Sequence, residues 1–202
     1  MKKILFIATL LAIGSNCFGA EIHRAARKGR LEVVKRLIKK NKKNIEAKDK
    51  QGHTPLYVAA VAKKLDVVKY LIEDAKANVE GSPKKLAPLV WACITARGNL
   101  DVVKYLVEKG KANIDGNNSE SPLYQVITYE REYPNNNHFE TIKYLVKKHA
   151  NITDEDINAA SKKVKKYLER EKEKRKEREK GKKIGKKDLE ERADFLLEGI
   201  KN

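Results

Sequence analysis

Branched apolar residues recur along the chain in a short phrase with helical spacing. Two β-branched residues, a Lys, a variable position and Leu occupy residues 33–37, 67–71, 102–106 and 141–145, so the copies start 34, 35 and 39 residues apart. Around the second copy, Val67, Val68, Leu71 and Ile72 fall at i, i+1, i+4 and i+5, which predicts an amphipathic helix. A unit of this size cannot bury its own apolar face, so the repetition predicts a stack of similar units and favours a binding scaffold over an enzyme pocket.

A second phrase precedes the first and predicts another helix. Thr54-Pro55 and Ser121-Pro122 pair an N-cap residue with Pro at the first helical position, where the missing N–H costs nothing. Leu follows each Pro and supplies buried bulk. Small residues further on allow close approach to a neighbouring helix: Ala25, Ala26, Ala59, Ala60, Ala92 and Cys93. Each repeat is therefore predicted to be a helix-turn-helix pair with one apolar seam.

A third phrase follows the second helix, as Asn44-Ile45-Glu46, Asn78-Val79-Glu80, Asn113-Ile114-Asp115 and Asn151-Ile152. With Thr-Pro-Leu and Val-Val-Lys-x-Leu in the same order, the segment 21–152 resembles the ankyrin repeat. The resemblance implies an all-α, ankyrin-type solenoid of helix-turn-helix repeats joined by hairpin loops, followed by a C-terminal helical tail. We divide the chain into a signal peptide (1–19), four repeats (20–48, 49–80, 81–115 and 116–152) and a capping helix with a basic tail (153–202).

Glycines and lysines mark the expected ends of the helices. Gly29 and Gly98 stand where a first helix ends, and Gly110 stands where a second helix ends, so each is expected to take the left-handed cap conformation. Lys63-Lys64 replaces the Gly and polar residue that the resemblance implies in the second repeat. We therefore expect a strained or rearranged cap there.

Two repeats carry extra residues. Leu56 to Val68 spans 12 positions, whereas Leu89 to Val103 spans 14 and Leu123 to Ile142 spans 19, giving two and seven extra residues. The longer insertion includes residues 129–138. Insertions usually form surface loops, often on the binding face, and a tolerated bulge without a role is the alternative.

The amino terminus has the layout of a secretory signal peptide. A lysine pair at Lys2-Lys3 precedes an apolar run over residues 4–13, which is too short for a stable membrane span, and a small, polar stretch follows. We expect export, periplasmic or secreted, with cleavage after Gly19. A lipoprotein cysteine at Cys17 and a buried first helix remain the alternatives.

The net charge of +17 is shared between the repeats and the tail. Residues 161–187 hold 15 Lys and Arg against 5 Glu, a local net charge of +10. Residues 153–156 predict a helix N-terminus, and an apolar stripe from Ile157 to Leu168 is expected to dock on the last repeat. Dense alternating charge then predicts a solvated helix, with pairs such as Glu171 and Arg175, that Gly181 and Gly185 interrupt. The basic segment 161–187 also suits weak binding to anionic surfaces, either nucleic acid or membrane.

Ankyrin-like stacks present hairpin tips and first helices to a partner, and this implies a set of candidate contact residues. Trp91 is the only tryptophan, either an exposed hot spot or a residue packed against the longer turn of its repeat. Tyr70, Tyr105 and Tyr144 recur in the second helices, and contacts between successive repeats explain them more simply than recognition does. The candidate partner-binding residues are Arg24, Val58, Trp91 and Gln125 on the helices, Lys50, Gln51, His53, Lys84, Lys85, Asn117 and Asn118 at the tips, and Tyr129 and Tyr133 in the insertion.

Little in the sequence favours catalysis. Without residues 1–19, Cys93 is the only cysteine, at a small-residue core position, so no intramolecular disulfide is expected. The four histidines have no metal-ligand spacing, and His23 matches the family histidine that ties neighbouring turns by a hydrogen bond. We expect a monomeric, non-catalytic protein that binds an unknown protein partner, with no cofactor and no small-molecule substrate.

Overall fold

A computed structural model describes residues 21–81, 87–95, 100–116, 121–134 and 137–200. Within these ranges the chain is all-α, as the sequence predicts, and contains no strand. The described residues fall into two compact units, one ending at Asn151 and the other beginning at Ile152. The helices are α1 (residues 21–28), α2 (Leu31–Lys40), a 3₁₀ turn (Lys42–Glu46), α3 (Pro55–Val61), α4 (Leu65–Glu73), α5 (Pro88–Ile94), α6 (Leu100–Glu108), α7 (Pro122–Glu132), α8 (His138–Lys147), α9 (Asp154–Ala159) and α10 (Lys162–Ile200).

The predicted N-caps start the short first helices. The Thr54 hydroxyl oxygen accepts a hydrogen bond from the Tyr57 backbone N–H at 3.2 Å, and the Ser121 hydroxyl oxygen accepts one from Tyr124 at 3.3 Å. Each cap satisfies a backbone donor that has no partner inside the helix. Helix α5 starts at Pro88 without a side-chain cap, because Ala87 stands at the corresponding position.

The helices of the first unit pack in two layers. First helices contact first helices, with α5 between α3 and α7, and second helices form a parallel series from α2 to α8. The seam between the layers is apolar, and Leu56, Leu71, Leu106, Leu123 and Leu145 are fully buried there. Cys93 lies in the same core, where burial raises the pKa of its thiol well above the ordinary value, so the cysteine is a packing residue as predicted.

An acidic side chain ties each repeat to the next. Glu46 accepts a hydrogen bond from the Asn78 backbone N–H at 2.7 Å, and Glu80 accepts one from Asn113 at 2.8 Å. Asp115 repeats the contact with Asn151 at 2.7 Å. We name this series the acid ladder; its acceptor always stands two residues after the Asn of its own repeat.

The recurring tyrosines make contacts between repeats, in line with the simpler of the two explanations. The Lys35 ammonium lies 5.9 Å from the centre of the Tyr70 ring, and Lys69 lies 5.9 Å from the Tyr105 ring. Tyr144 donates to Glu108 of the preceding repeat at 3.2 Å. These tyrosines therefore contribute to stacking.

The second repeat contains the strained turn that its sequence predicts. Lys63 has a φ of 59°, in the left-handed region, and its N–H donates to Ala60 as the Gly29 N–H donates to Ala26. The prediction for Gly110 is wrong, since the left-handed residue after α6 is Lys111, with a φ of 58°. Gly110 is required instead by close packing, because a Cβ there would lie 2.7 Å from the Leu106 carbonyl oxygen and 3.1 Å from Val79. Gly98 lies outside the described residues.

The second unit begins with the predicted helix cap. The Thr153 hydroxyl accepts from the Asp156 N–H at 3.1 Å while the Asp156 carboxylate accepts from the Thr153 N–H at 2.7 Å, a complete capping box. Helix α10 then runs for 39 residues. The predicted interruption at Gly181 and Gly185 is therefore wrong: each Gly costs only about 1 kcal/mol in a helix interior, and the surrounding lysines favour helix.

Glu171 forms its ion pair in α10 with Lys174, at 2.7 Å, three residues further on. Lys172 reaches back to Asp154 of α9 at 2.9 Å. These short pairs support a helix whose surface is mostly charged.

The left-handed lysines yield a stability prediction. Lys76 is exposed with a φ of 58°, a conformation that costs a non-glycine residue about 1–2 kcal/mol. Lys76→Gly should therefore raise the free energy of unfolding by about 1 kcal/mol, measured by urea denaturation. Lys76→Ala is the matched control and should give no gain, because alanine keeps the Cβ. A Lys76→Gly protein no more stable than Lys76→Ala would contradict the assignment.

Candidate functional site

The hairpin before α3 is held in shape by Asp49. Its Oδ1 accepts hydrogen bonds from the backbone N–H groups of Gln51, at 2.9 Å, and His53, at 2.8 Å. Burial alone would raise the pKa of Asp49, but these donors and the His53 ring hold that pKa below its ordinary value. Gly52, with a φ of 84°, completes the turn. The hairpin is thus rigid, while Lys50 and Gln51 at its tip are exposed.

A histidine fastens this hairpin to α1. The Nε2 atom of the buried His23 lies 2.8 Å from the His53 carbonyl oxygen, and since a carbonyl only accepts, the proton is on Nε2. This confirms the expectation that His23 ties neighbouring turns. The contact fixes α1 beside the hairpin and defines the width of the space between them.

That space is a groove of about 760 Å³. Arg24 and Arg27 line it from α1, Lys48 and Lys50 line it from the hairpin, and His23, Asp49 and Gln51 complete it. We name these seven residues the basic groove. Its four permanent cations surround one carboxylate, so it attracts anions.

Three aromatic rings continue from the hairpin across two repeats. His53 stacks on Tyr57 with ring centres 4.0 Å apart and an interplanar angle of 1°. Tyr57 in turn meets Trp91 edge-on, with ring centres 6.0 Å apart. We name His53, Tyr57 and Trp91 the aromatic strip. Burial raises the pKa of Tyr57 to about 12, so its hydroxyl stays neutral at physiological pH.

The structure places several predicted contact residues close together and buries one of them. Arg24, Lys50 and Gln51 line the basic groove, and His53 and Trp91 belong to the aromatic strip. Trp91 and Gln125 are partly buried. Val58 is only 4% exposed, so the prediction of a contact residue there is wrong: α3 buries six of its seven residues, and its apolar side chains belong to the core. Lys84, Lys85, Asn117 and Asn118 lie outside the described residues.

Sequence reasoning missed three residues of the site. Arg27 stands one helical turn after Arg24, a spacing that places both on one face of α1. Lys48 immediately precedes the Asp49 turn, and Tyr57 occupies the position equivalent to His23. Helical periodicity was enough to find Arg27. Nothing local indicates that Lys48 faces the same groove.

The insertion in the fourth repeat is only partly a loop. Residues 129–132 extend α7 to 11 residues, against 7 in α3 and α5, since no glycine interrupts them. The expected surface loop is thus shortened to the residues after α7, where Tyr133 is 48% exposed; residues 135–136 are outside the described ranges. The Tyr129 ring lies 6.0 Å from Tyr133 and 6.4 Å from His138.

His138 is buried at the start of α8, 1% exposed, beside the buried Glu130 and Thr141. Among the described residues, neither ring nitrogen of His138 makes a full hydrogen bond. Burial lowers the pKa of His138, assisted by the Lys63 charge, and the Ile94 carbonyl and the Glu130 carboxylate oppose that shift only in part. The imidazole is therefore held neutral.

The described part of the chain meets neither the requirements of a metal site nor those of a membrane-spanning helix. No group of three or more His, Cys, Asp and Glu side chains there is placed to hold a metal ion. None of the described helices combines the length and apolar character that crossing a membrane requires.

Repeated helix pairs, tied by side-chain ladders and presenting a groove at a hairpin and a first helix, define a repeat protein with an extended binding surface. A family model described as ankyrin repeats (3 copies) matches residues 7–82 and 75–156. The two matches cover residues 7–156 of the 202-residue chain, so the protein belongs to the ankyrin-repeat family. No curated protein matches the chain. Ankyrin repeats generally mediate protein–protein interaction.

The neutral His138 gives a pH prediction. Its pKa in the folded protein lies below that of the unfolded chain, about 6.5, so the folded state binds its proton less readily. The histidine therefore costs no stability above that pH and destabilises the fold as the pH falls below it. Between pH 7.5 and 5, the melting temperature of the wild type should fall more than that of His138→Phe, which fills the site without titrating. Equal slopes for the two proteins would contradict this.

Proposed function

We propose that this protein is a non-catalytic scaffold that binds a protein partner through the basic groove and the aromatic strip. The observation that carries the proposal is the groove itself, a space of about 760 Å³ between rigid elements. The lining side chains are charged and polar recognition groups, without a nucleophile beside a base. We expect a monomer, with no cofactor or small-molecule substrate.

The aromatic strip supports the same surface. Trp91 keeps part of its area at the surface while its ring packs against Tyr57, an arrangement that pre-orders a large side chain. Partly exposed, ordered tryptophans are typical anchors of protein interfaces, because little conformational entropy is lost on binding. The strip and the groove share the hairpin at residues 49–53, so one partner can use both.

We further propose that the protein acts outside the cytoplasm. The support is the signal-like layout of residues 1–19, which lie outside the described residues. The family match begins at residue 7, inside this leader, so the processed terminus has to be measured directly.

One experiment tests partner and compartment together. A photo-crosslinking amino acid at Gln51, the exposed hairpin tip, should capture a protein partner in the native extracytoplasmic fraction. Mass spectrometry of the captured protein should show that its chain begins at Ala20. The same group at Lys42, exposed and outside the basic groove, is the control and should capture little. Trp91→Ala should weaken capture by about 2 kcal/mol or more if Trp91 is an anchor.

Tyr133→Ala is the matched aromatic control, since Tyr133 is exposed in the fourth repeat. Both variants should first show a folded far-UV spectrum and a cooperative melt. If Tyr133→Ala abolishes capture and Trp91→Ala does not, the binding surface lies at the insertion. Capture from Lys42 alone would overturn the proposal.

A second candidate function belongs to the basic tail. Residues 176–181 of α10 are all exposed, and the 161–187 segment carries a net charge of +10, which suits weak binding to nucleic acid or anionic membrane. Glu residues interleave with the lysines, and the Glu171–Lys174 pair shows that some charge is neutralised within the helix.

Deletion of residues 161–202 tests the tail. If the tail binds anionic surfaces, the deletion should lower the salt concentration that elutes the protein from heparin and abolish binding to anionic vesicles. A Gln replacement of Lys162, Lys163, Lys165 and Lys166 keeps the helix and serves as the milder variant. Unchanged retention of the truncated protein would remove this function.

A further inference from the structure

The cations of the basic groove lack a close counterion in the part of the protein that the structure describes. In the described part of the chain, Arg24, Arg27, Lys48 and Lys50 form no ion pair within 4.0 Å. Their nearest acid along the lining, Asp49, already accepts two backbone hydrogen bonds and lies 3.3 Å from the His53 ring. The groove therefore presents a positive field that the fold does not neutralise.

Elsewhere on the same unit, some lysines are paired at short distances. Lys35 lies 2.8 Å from Glu32, and Lys148 lies 2.9 Å from Glu108. Four cations left without such partners around one concave space leave room for an external anion, and an exposed charge of this kind costs the free protein little.

The chemistry of the lining suits carboxylates. Arg24 and Arg27 offer planar guanidinium groups, which bind carboxylates through two parallel hydrogen bonds, and the lysines on the opposite wall act as point charges. The volume of the groove suits a short stretch of extended chain.

The aromatic strip argues against a single-stranded nucleic acid. Binding of single strands relies on aromatic faces on which bases stack. Here His53 and Tyr57 stack on each other at 4.0 Å, and the edge of one ring in the Tyr57–Trp91 pair covers the face of the other. The strip thus suits a branched or aromatic side chain that packs against ring edges.

We propose that the basic groove recognises an acidic segment of a protein partner, with two or more carboxylates on Arg24, Arg27, Lys48 and Lys50 and an apolar side chain against Trp91. This inference rests on the proposed function, since it names the chemistry of the partner at the same surface.

Selection from a random dodecapeptide display library on the immobilised full chain tests this chemistry. The wild type should enrich peptides of net negative charge that contain an aromatic or branched apolar residue. Two double variants with the same change in net charge separate the groove from the overall charge: Arg24→Glu with Lys50→Glu in the groove, and Lys39→Glu with Lys42→Glu, exposed outside it.

The groove variant should bind an enriched acidic peptide at least about tenfold more weakly than the wild type, and the control variant within about threefold. Raising the salt concentration should weaken wild-type binding, because the contacts are electrostatic. Arg24→Gln with Lys50→Gln, a milder change at two exposed positions, repeats the test if the glutamate variant melts early.

Three results would overturn the inference. The first is enrichment of neutral or basic peptides. The second is an equal loss of peptide affinity in the two double variants. The third is a single-stranded oligonucleotide that binds more tightly than every acidic peptide and whose binding depends on Arg24 and Lys50. Photo-crosslinking from Gln51 distinguishes failure of the acidic-peptide hypothesis from failure of the proposed scaffold function. If the groove variant still captures a partner, the scaffold function is supported and the preference for acidic segments is contradicted.

Discussion

A hydrogen bond between an acidic side chain of one repeat and a backbone N–H of the next aligns each pair of neighbouring repeats. Glu46, Glu80 and Asp115 each reach 2.7–2.8 Å across this boundary. These bonds lie at the surface, where water competes for the donor, so they contribute direction more than stability, and the charged acceptor strengthens them. The apolar seam supplies attraction between helices but little direction, so the acid ladder sets the register of the stack.

The acid ladder stops where the repetition ends. The position two residues after the Asn holds Glu46, Glu80 and Asp115 in successive repeats, and Thr153 in the last. The shorter Thr side chain instead takes part in the capping box with Asp156 and starts α9. The fourth repeat thus carries Thr at the place of the acid, and that Thr begins α9.

Features of the fold that depend on neighbouring residues were predictable from the sequence. Features that depend on contacts between distant segments were not. The Thr54 and Ser121 caps, the capping box and the strained turn at Lys63 follow from residues within a few positions of each other. The cap role predicted for Gly110 is wrong because glycine is required there by close contact with Val79 of the preceding repeat. Val58 and Lys48 show the same limit at the site: the sequence places both near the hairpin, but only the packing of α3 and α1 decides that Val58 is buried and that Lys48 faces the groove.

The hairpin at residues 49–53 separates the residues that keep its shape from those that a partner meets. Asp49, Gly52 and the His23 contact hold the turn through backbone hydrogen bonds, and none of these contacts involves the side chains of Lys50 or Gln51. Substitutions at the tip therefore leave the folding free energy almost unchanged while altering the charge and size that a ligand encounters. Such a surface is evolvable: new specificities are reachable by single codon changes without passing through unstable intermediates.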